Sequence, residues 1–424
     1  MRDLHTEFVH RKIEKPKKWL AYLVCLAFRF ISKRRNVEFV YDDSYIDIKN
    51  EQMIYLCQHR SHEDYIYTLA GLKRFDVHYL CGYQNIFLPI VYTLFKNLGV
   101  IAKMLYQPDM RAIMQLMSAV KQGGSIVLFP EGIQSTSGST HPINPATMKL
   151  LMKLKLPVTL VSLKGAYFTR NRYSTDIKKG KITVRFSKLF GAEDFETFTS
   201  EELYSKLIDS FQYNEFTEHQ GEKVAFYGKK PNIYGLDNII YKCPDCNSEF
   251  QFTVDGNQMR CNHCDFAVSM DEYYDLASVK GDLPFSDIDR WYKWQRGIVA
   301  KQVQDDTFSM SAKVKIGRIN TRKLTSNYSL QYYGEGLLTL NNQGLRYCGT
   351  RDGEEVDVFF QAKQVFSLTM SLQHDFDLYY DGVYYNFKLL EKEKEMAKWM
   401  LAAEEIHNLH DPVWRTASAE VYHA

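Results

Sequence analysis

The clearest capacity for chemistry lies in a histidine and an aspartate five positions apart, in Tyr55-Leu-Cys-Gln-His59-Arg-Ser-His-Glu-Asp64-Tyr. An imidazole that titrates near neutral pH can take a proton from an attacking hydroxyl. A carboxylate beside it holds the ring tautomer and stabilises the imidazolium. On one continuous helix this spacing would set the side chains ~140° apart, so they meet only if the helix starts between them. Ser61 as N-cap provides that break. His59 then lies in the loop after a strand, where open α/β sheets place their sites, and Asp64 lies near the first helical turn. No G-x-S-x-G elbow offers a nucleophilic serine, so direct attack by a substrate's own hydroxyl is favoured over a covalent enzyme intermediate. The same residues also have a structural reading. Ser61-x-x-Asp64 is a variant capping box, and His62 is a second histidine that competes for the role.

A second constellation is Ser125-Ile-Val-Leu-Phe129-Pro130-Glu131-Gly132, a strand that stops in a loop. Pro130 ends the ladder, and Gly132 lets the backbone approach a ligand. Glu131 is an isolated carboxylate at a strand end, or simply an exposed loop glutamate. Hydrogen-bonding residues follow: Gln134, Ser135, Thr136, Ser137, Ser139 and Thr140.

The third constellation is Cys243-Pro-Asp-Cys246 and Cys261-Asn-His-Cys264, with fourteen residues between the pairs. Each C-x-x-C turn points two thiolates at one centre, and two such turns complete a tetrahedral four-sulfur shell. The intervening Glu249–Gly256 and Asn257–Arg260 fit a short hairpin, so a zinc ribbon with a closed, structural zinc site is expected. His263 is a spare donor outside the ligand set. A redox role would call for one pair beside a thioredoxin-like unit. Asp245, Glu249 and Asp255 against Arg260 make no basic stripe, so nucleic acid is not an expected partner. The eight cysteines show no disulfide framework, which suits a reducing compartment.

The elements that must position these residues follow from patterning. A chain of 424 residues suggests two to three domains, and 45% hydrophobic with 25% charged residues supports packed cores rather than disorder. The net charge of +2 is unevenly spread: ten lysines and arginines, from Arg2 to Arg35, crowd the first 35 residues against Asp3, Glu7 and Glu14. Residues 17–32 read as an apolar helix with basic ends, carrying Trp19, Tyr22 and Phe28 at headgroup level. Its apolar run from Trp19 is interrupted at Arg29, too short to span a bilayer or to act as a cleaved signal. The expectation is a peripheral protein on the cytoplasmic face of a membrane, touching an anionic surface, without a transmembrane span.

Short apolar runs then alternate with helical stretches. Met53–Cys57, Val77–Cys81, Ser125–Phe129, Val158–Leu163 and Ile182–Phe186 read as strands; Ile66–Leu72, Pro89–Leu98 and Met110–Lys121 read as helices. That alternation implies an α/β domain with a mixed, largely parallel sheet and flanking helices, closed by an amphipathic helix over Phe195–Tyr213. Gly228–Leu236 has the turn chemistry of a boundary. The expected organisation is a basic membrane-contacting segment (1–35), the α/β domain (36–235), the zinc ribbon (236–275), a helical connector (276–308, its helix over Phe285–Gln304) and a mostly β domain (309–424). In the last, Ser329–Tyr333, Leu337–Leu340, Val356–Phe360, Val365–Met370, Phe376–Tyr380 and Tyr384–Leu389 read as strands before a helix over Lys392–Asn408. Strands followed by one helix resemble a pleckstrin-homology-like barrel.

His59-x-x-x-x-Asp64, followed about seventy residues later by Phe129-Pro130-Glu131-Gly132, resembles the glycerolipid acyltransferases, the family of lysophosphatidic acid acyltransferases. Leu98-Gly-Val-Ile-Ala-Lys103 with Asp109-Met-Arg111 resembles the family's second block, and Leu156-Pro-Val-Thr-Leu-Val161 its fourth. The likeness covers roughly residues 20–220. It implies transfer of a fatty acyl group from acyl-CoA or acyl-carrier protein to a lysophospholipid hydroxyl, with lysophosphatidate first among acceptors. His59 would be the base and Asp64 its orienter. Arg60, Lys103, Glu131 and Gly132 would bind substrate, and backbone N–H groups near the helix start after Ser61 would meet the oxyanion.

The sequence departs from the family pattern where an acceptor phosphate is held. Gln58 replaces the usual asparagine; Met104 and Leu105 stand where Asp-Arg is usual; and Gln134 stands where an arginine follows the glycine. Lys103, Arg111, Arg170 and Arg172 are cations that can substitute. An acceptor with another head group, or a glycolipid, is the alternative, and a non-catalytic lipid-binding protein is a further one.

Overall fold

A computed structural model describes residues 3–371, 375–391 and 393–422. Arg2 of the basic segment and Lys392 of the expected final helix lie outside the described residues. The front of the chain builds a seven-stranded sheet from β1 (Val37–Tyr41), β2 (Ile54–Cys57), β3 (Val77–Gly82), β4 (Ile101–Lys103), β5 (Ser125–Leu128), β6 (Val158–Lys164) and β7 (Ile182–Phe190). The order is β1-β7-β6-β2-β5-β3-β4. Every neighbouring pair is parallel except β6 and β7. The expected mixed, mostly parallel sheet is therefore present. β2 and β5 are buried throughout, which is why their sequences are unbroken apolar runs. Pairing of Leu56 with Leu128 brings their C-terminal ends side by side, so the loops starting at Gln58 and Phe129 leave the sheet together.

The helices expected between the strands appear as Asp64–Leu72, Pro89–Asn97 and Met110–Lys121. The one expected over Phe195–Tyr213 is two helices, Asp194–Thr197 and Ser200–Phe211. A capping box at Thr199 and Glu202 restarts the helix, satisfying amides that a continuous helix would not expose. After a short first helix, Leu4–Val9, the N-terminal amphipathic helix Lys18–Arg34 lies on Asp64–Leu72 through Cys25, whose thiol points to the Leu69 carbonyl, and Arg29, which donates to the Ala70 carbonyl. Trp19, Tyr22, Leu23, Leu26 and Phe30 remain exposed on it. Among the described residues no helix is long and apolar enough to cross a membrane.

A four-stranded antiparallel sheet follows: β8 (Phe252–Asp255), β9 (Gln258–Cys261), β10 (Ala267–Met270) and β11 (Leu276–Lys280), in the order β11-β10-β9-β8. β11 extends this unit past the boundary expected at residue 275. The connector helix is Ile288–Gln304. The last sheet holds β12 (Ser309–Ile319), β13 (Leu330–Asn341), β14 (Gly344–Arg351), β15 (Glu354–Gln361), β16 (Thr369–Met370), β17 (Asp375–Tyr380) and β18 (Val383–Leu389). Its order is β15-β14-β13-β12-β18-β17-β16, so the first strand of the meander pairs with the last. The two runs expected over Ser329–Tyr333 and Leu337–Leu340 are the single strand β13. Most of the expected strand Val365–Met370 is irregular, with only its last two residues paired. The final helix is Met396–His410, and a further helix, Pro412–Tyr422, follows it.

These parts do not separate into independent cores. One apolar cluster runs from Phe168 and Tyr173 of the front domain through Cys243, Phe266 and Trp291 to Val314, Phe387 and Trp399 of the C-terminal domain.

Candidate active site and metal site

His59 leaves β2 two residues after Cys57, and three bonds fix it. Its amide donates to Glu131 Oε1 (2.8 Å), its carbonyl accepts from the Ser135 amide (2.8 Å), and its Nδ1 lies 3.0 Å from Asp64 Oδ2. Asp64 is fully buried, whereas 26% of the His59 side chain is exposed. With Nδ1 taken, Nε2 is the nitrogen left for a substrate. Burial pushes the Asp64 carboxyl up from the usual range, and its bonds to His59 and to the Ser61 amide (2.7 Å) oppose that shift. The His59 ring also rests against Phe129, 4.8 Å between centroids.

The break between His59 and Asp64 differs in detail from the expectation. The helix starts at Asp64 itself, and Ser61 is not its N-cap. Ser61 instead accepts from the Glu63 amide in a tight turn, and its own amide donates to Asp64. Asp64 therefore does both things the sequence offered as alternatives: it closes the helix start and holds the histidine. His62 is exposed, and the bonds to the Asp64 carboxylate come from His59 and Ser61.

The residues expected to bind substrate are placed otherwise. Arg60 is buried. Its Nη1 donates to Glu215 and Glu218 (2.6 Å each), its Nη2 to Glu218 (3.0 Å) and Gln58 (2.7 Å), and its Nε to Gln58 (3.0 Å). Those bonds account for every N–H of the guanidinium, so none remains for a ligand. Gln58, the departure from the family's asparagine, is the amide that reaches this arginine. Lys103 donates to the Met104 (3.0 Å) and Gln107 (3.3 Å) carbonyls, and burial pushes its pKa down. It ties its own loop. Glu131 is buried, with one oxygen on the His59 amide and the other on the His141 amide (2.9 Å) and the Tyr213 hydroxyl (3.3 Å). Burial pushes its carboxyl up to about 7 against those donors. Its observed work is to hold the His59 loop. Gly132 sits at φ +77°, and its amide donates to the Phe129 carbonyl, a turn that favours glycine.

Around Gln134 the structure supplies cations from elsewhere. Gln134 Nε2 donates to the Arg170 carbonyl (3.0 Å), and Arg172 Nη1 reaches the Gln134 carbonyl (3.5 Å). Arg170 (3.1 Å) and Arg35 (3.3 Å) share the buried carboxylate of Glu63. Glu63, Tyr213 and His141 belong to this neighbourhood without a sequence signal, because each arrives through tertiary contacts.

The four cysteines come together. Cys243 Sγ lies 3.7 Å from Cys264 Sγ, Cys246 Sγ lies 3.8 Å from Cys261 Sγ, and all four lie within 4.8 Å of one another. The two turns repeat each other. Asn247 donates to the Cys243 carbonyl (3.1 Å) and Asp265 to the Cys261 carbonyl (3.0 Å), with both donors in the left-handed region. Four thiolates ~2.3 Å from a tetrahedral zinc ion stand ~3.8 Å apart, so the sulfur geometry fits such an ion.

Residues 33–164 match the sequence model of the family described as Acyltransferase. The chain is 24% identical over 157 residues to a 1-acyl-sn-glycerol-3-phosphate acyltransferase of Cocos nucifera, an overlap of 35% of this chain and 49% of that relative. The chain thus spans about half the length of the curated relative it matches. The crystal structure of the 1-acyl-sn-glycerophosphate acyltransferase PlsC of Thermotoga maritima aligns at a TM-score of 0.39 and 19% identity, over 48% of this chain and 81% of that one. Residues 33–164 thus form an acyltransferase domain, in a chain similar to 1-acyl-sn-glycerol-3-phosphate acyltransferases.

Proposed function

We propose that this protein transfers a fatty acyl group from acyl-CoA or acyl-carrier protein to the hydroxyl of a lysophospholipid, with lysophosphatidate as its acceptor. The observation that carries the reading is the His59 Nδ1 to Asp64 Oδ2 contact at the end of a central parallel strand, with the ring partly open. The acceptor hydroxyl gives its proton to Nε2 as its oxygen attacks the thioester carbonyl. Asp64 stabilises the imidazolium. Backbone amides at the start of the Asp64–Leu72 helix take the oxyanion. Collapse breaks the C–S bond, and His59 returns the proton to the leaving thiolate.

The exposed Trp19, Leu23, Leu26 and Phe30 recur on one face of the N-terminal helix, between Lys17 and Lys18 at one end and Lys33 and Arg34 at the other. That arrangement supports docking on the anionic, cytoplasmic face of a membrane. Sedimentation with anionic vesicles tests this, and equal binding by Trp19→Ser/Phe30→Ser would refute it. The cysteine cluster is read as a structural zinc ribbon. The seven-stranded sheet with a helix behind it supports a pleckstrin-homology-like accessory domain. A head-group-bearing acceptor is the second reading, favoured by the commitment of Arg60 and Lys103 to protein partners. Incubation with radiolabelled acyl-CoA or acyl-carrier protein and a panel of lysophospholipids decides between them. Label in phosphatidate is the expected result, and no labelled lipid with any acceptor would overturn the proposal.

A further inference from the structure

A hydroxyl from the last helix reaches the loop after β5, which in turn supports the loop that carries His59. Tyr422, at the end of Pro412–Tyr422, places its oxygen 2.8 Å from His141 Nδ1. Burial pushes the His141 imidazole toward its neutral form. A neutral imidazole has one donor and one acceptor, and a hydroxyl can serve either, so the Nδ1–Tyr422 bond forms in both tautomers. The His141 amide donates to Glu131 Oε2 (2.9 Å), and Glu131 Oε1 accepts from the His59 amide (2.8 Å). Three hydrogen bonds therefore connect the C-terminal helix to the backbone of the proposed base. Both intermediates are buried.

Tyr422 is itself braced. The Arg296 guanidinium lies over its ring, 3.6 Å from the centroid, and Arg296 is paired with Glu404 and Glu405 of Met396–His410. At the same junction Tyr106 of the front domain stacks on Phe366 of the C-terminal domain, 4.3 Å between centroids.

We propose that Tyr422 is a positioning residue for acyl transfer, acting through His141 and Glu131 on the backbone at His59, so that the C-terminal domain holds the reactive loop in working geometry. This rests on the reading of His59 as the base. The physical reason is that a base on a loop works only as well as its supports are rigid, and small misplacements of reacting groups lose large factors in rate. Without the hydroxyl, His141 Nδ1 is left unpaired in a buried site, and the loop relaxes to satisfy it.

The test is Tyr422→Phe in the full chain, which keeps the ring over Arg296 and removes only the hydroxyl. With palmitoyl-CoA and lysophosphatidate, kcat should fall about threefold to tenfold with KM unchanged, and the melting temperature should fall by no more than a few degrees. Hydrogen exchange at the His59 and His141 amides, which needs no substrate, should quicken. His141→Phe should give the same fall, and the double variant no further one, because both cut the same connection. Wild-type kcat and wild-type exchange in Tyr422→Phe would overturn the proposal, as would a lowered melting temperature with kcat unchanged. His59→Ala run in parallel keeps the two ideas apart. If it retains turnover, the reading of His59 fails. If it loses turnover while Tyr422→Phe does not, only the positioning role fails.

Discussion

The cysteine cluster and the His59 loop are both built on short motifs, yet they are assembled in opposite ways. All four sulfurs come from 22 residues of chain, in two turns that copy each other's hydrogen bonds. The surroundings of His59 are drawn from residues 64, 129, 131, 135, 141, 213 and, at two removes, 422. A local site announces itself through spacing, because the turn that makes the spacing also makes the geometry. A distributed site shows only its reactive members, and its supports are silent in sequence.

The comparison can be broken at several points. The largest effect should follow metal loss. Structural zinc in small cysteine sites stabilises on the order of 10 kcal/mol. Freshly purified protein should hold one zinc per chain by elemental analysis, and Cys243→Ser should lose it. Cys243 and Trp291 share one cluster, so the connector helix should loosen as well, seen as lost protection in hydrogen exchange. A wild-type exchange pattern in the variant would make the ribbon independent of the rest.

Next, His59→Ala should lower turnover by ~10²–10⁴-fold, the range for a positioned acid or base. Its circular dichroism and melting should stay close to wild type, because the ring is partly exposed. Near-full turnover would remove His59 from the chemistry.

Arg60→Met should lose about 3–5 kcal/mol in urea unfolding, since Glu215 would remain as a buried charge without its partner. If acyl transfer fell with stability untouched, Arg60 would return to the substrate-binding role expected from the sequence.

The smallest effect is a pH slope. Glu131 is held at about 7, whereas a glutamate in the unfolded chain titrates near ~4.3. Between those values the unfolded chain releases a proton that the folded one keeps. Stability from this group is therefore full below about 4.3, falls as pH rises to about 7, and is flat above. Glu131→Gln should remove that slope, so the urea midpoint of wild type should drop relative to the variant between pH 5 and pH 8. A parallel pair of curves would mean that Glu131 is ionised throughout.

Much of the front sheet was legible because buried parallel strands are continuous apolar runs: β2, β3, β5, β6 and β7 all stand out. β1 and β4 did not, being an edge strand with a charged residue and a three-residue strand. β12 carries a period-two pattern in Ala312, Val314 and Ile316 that was there to be read. The split at Thr199 was also written in its capping box. The roles of Arg60, Lys103 and Glu131 were not legible. A cation or carboxylate beside a reactive motif looks the same in sequence whether it faces a ligand or a buried partner.

By itself the sequence picked out the His59–Asp64 pair, the four cysteines that cluster and most of the strands that carry them, because these depend on residue type and on periods of a few residues. Only the tertiary structure decided which charges stay available. That choice depends on partners such as Glu215, Glu218 and Tyr422, brought in from far along the chain, and desolvation binds each charge to whichever partner packing supplies.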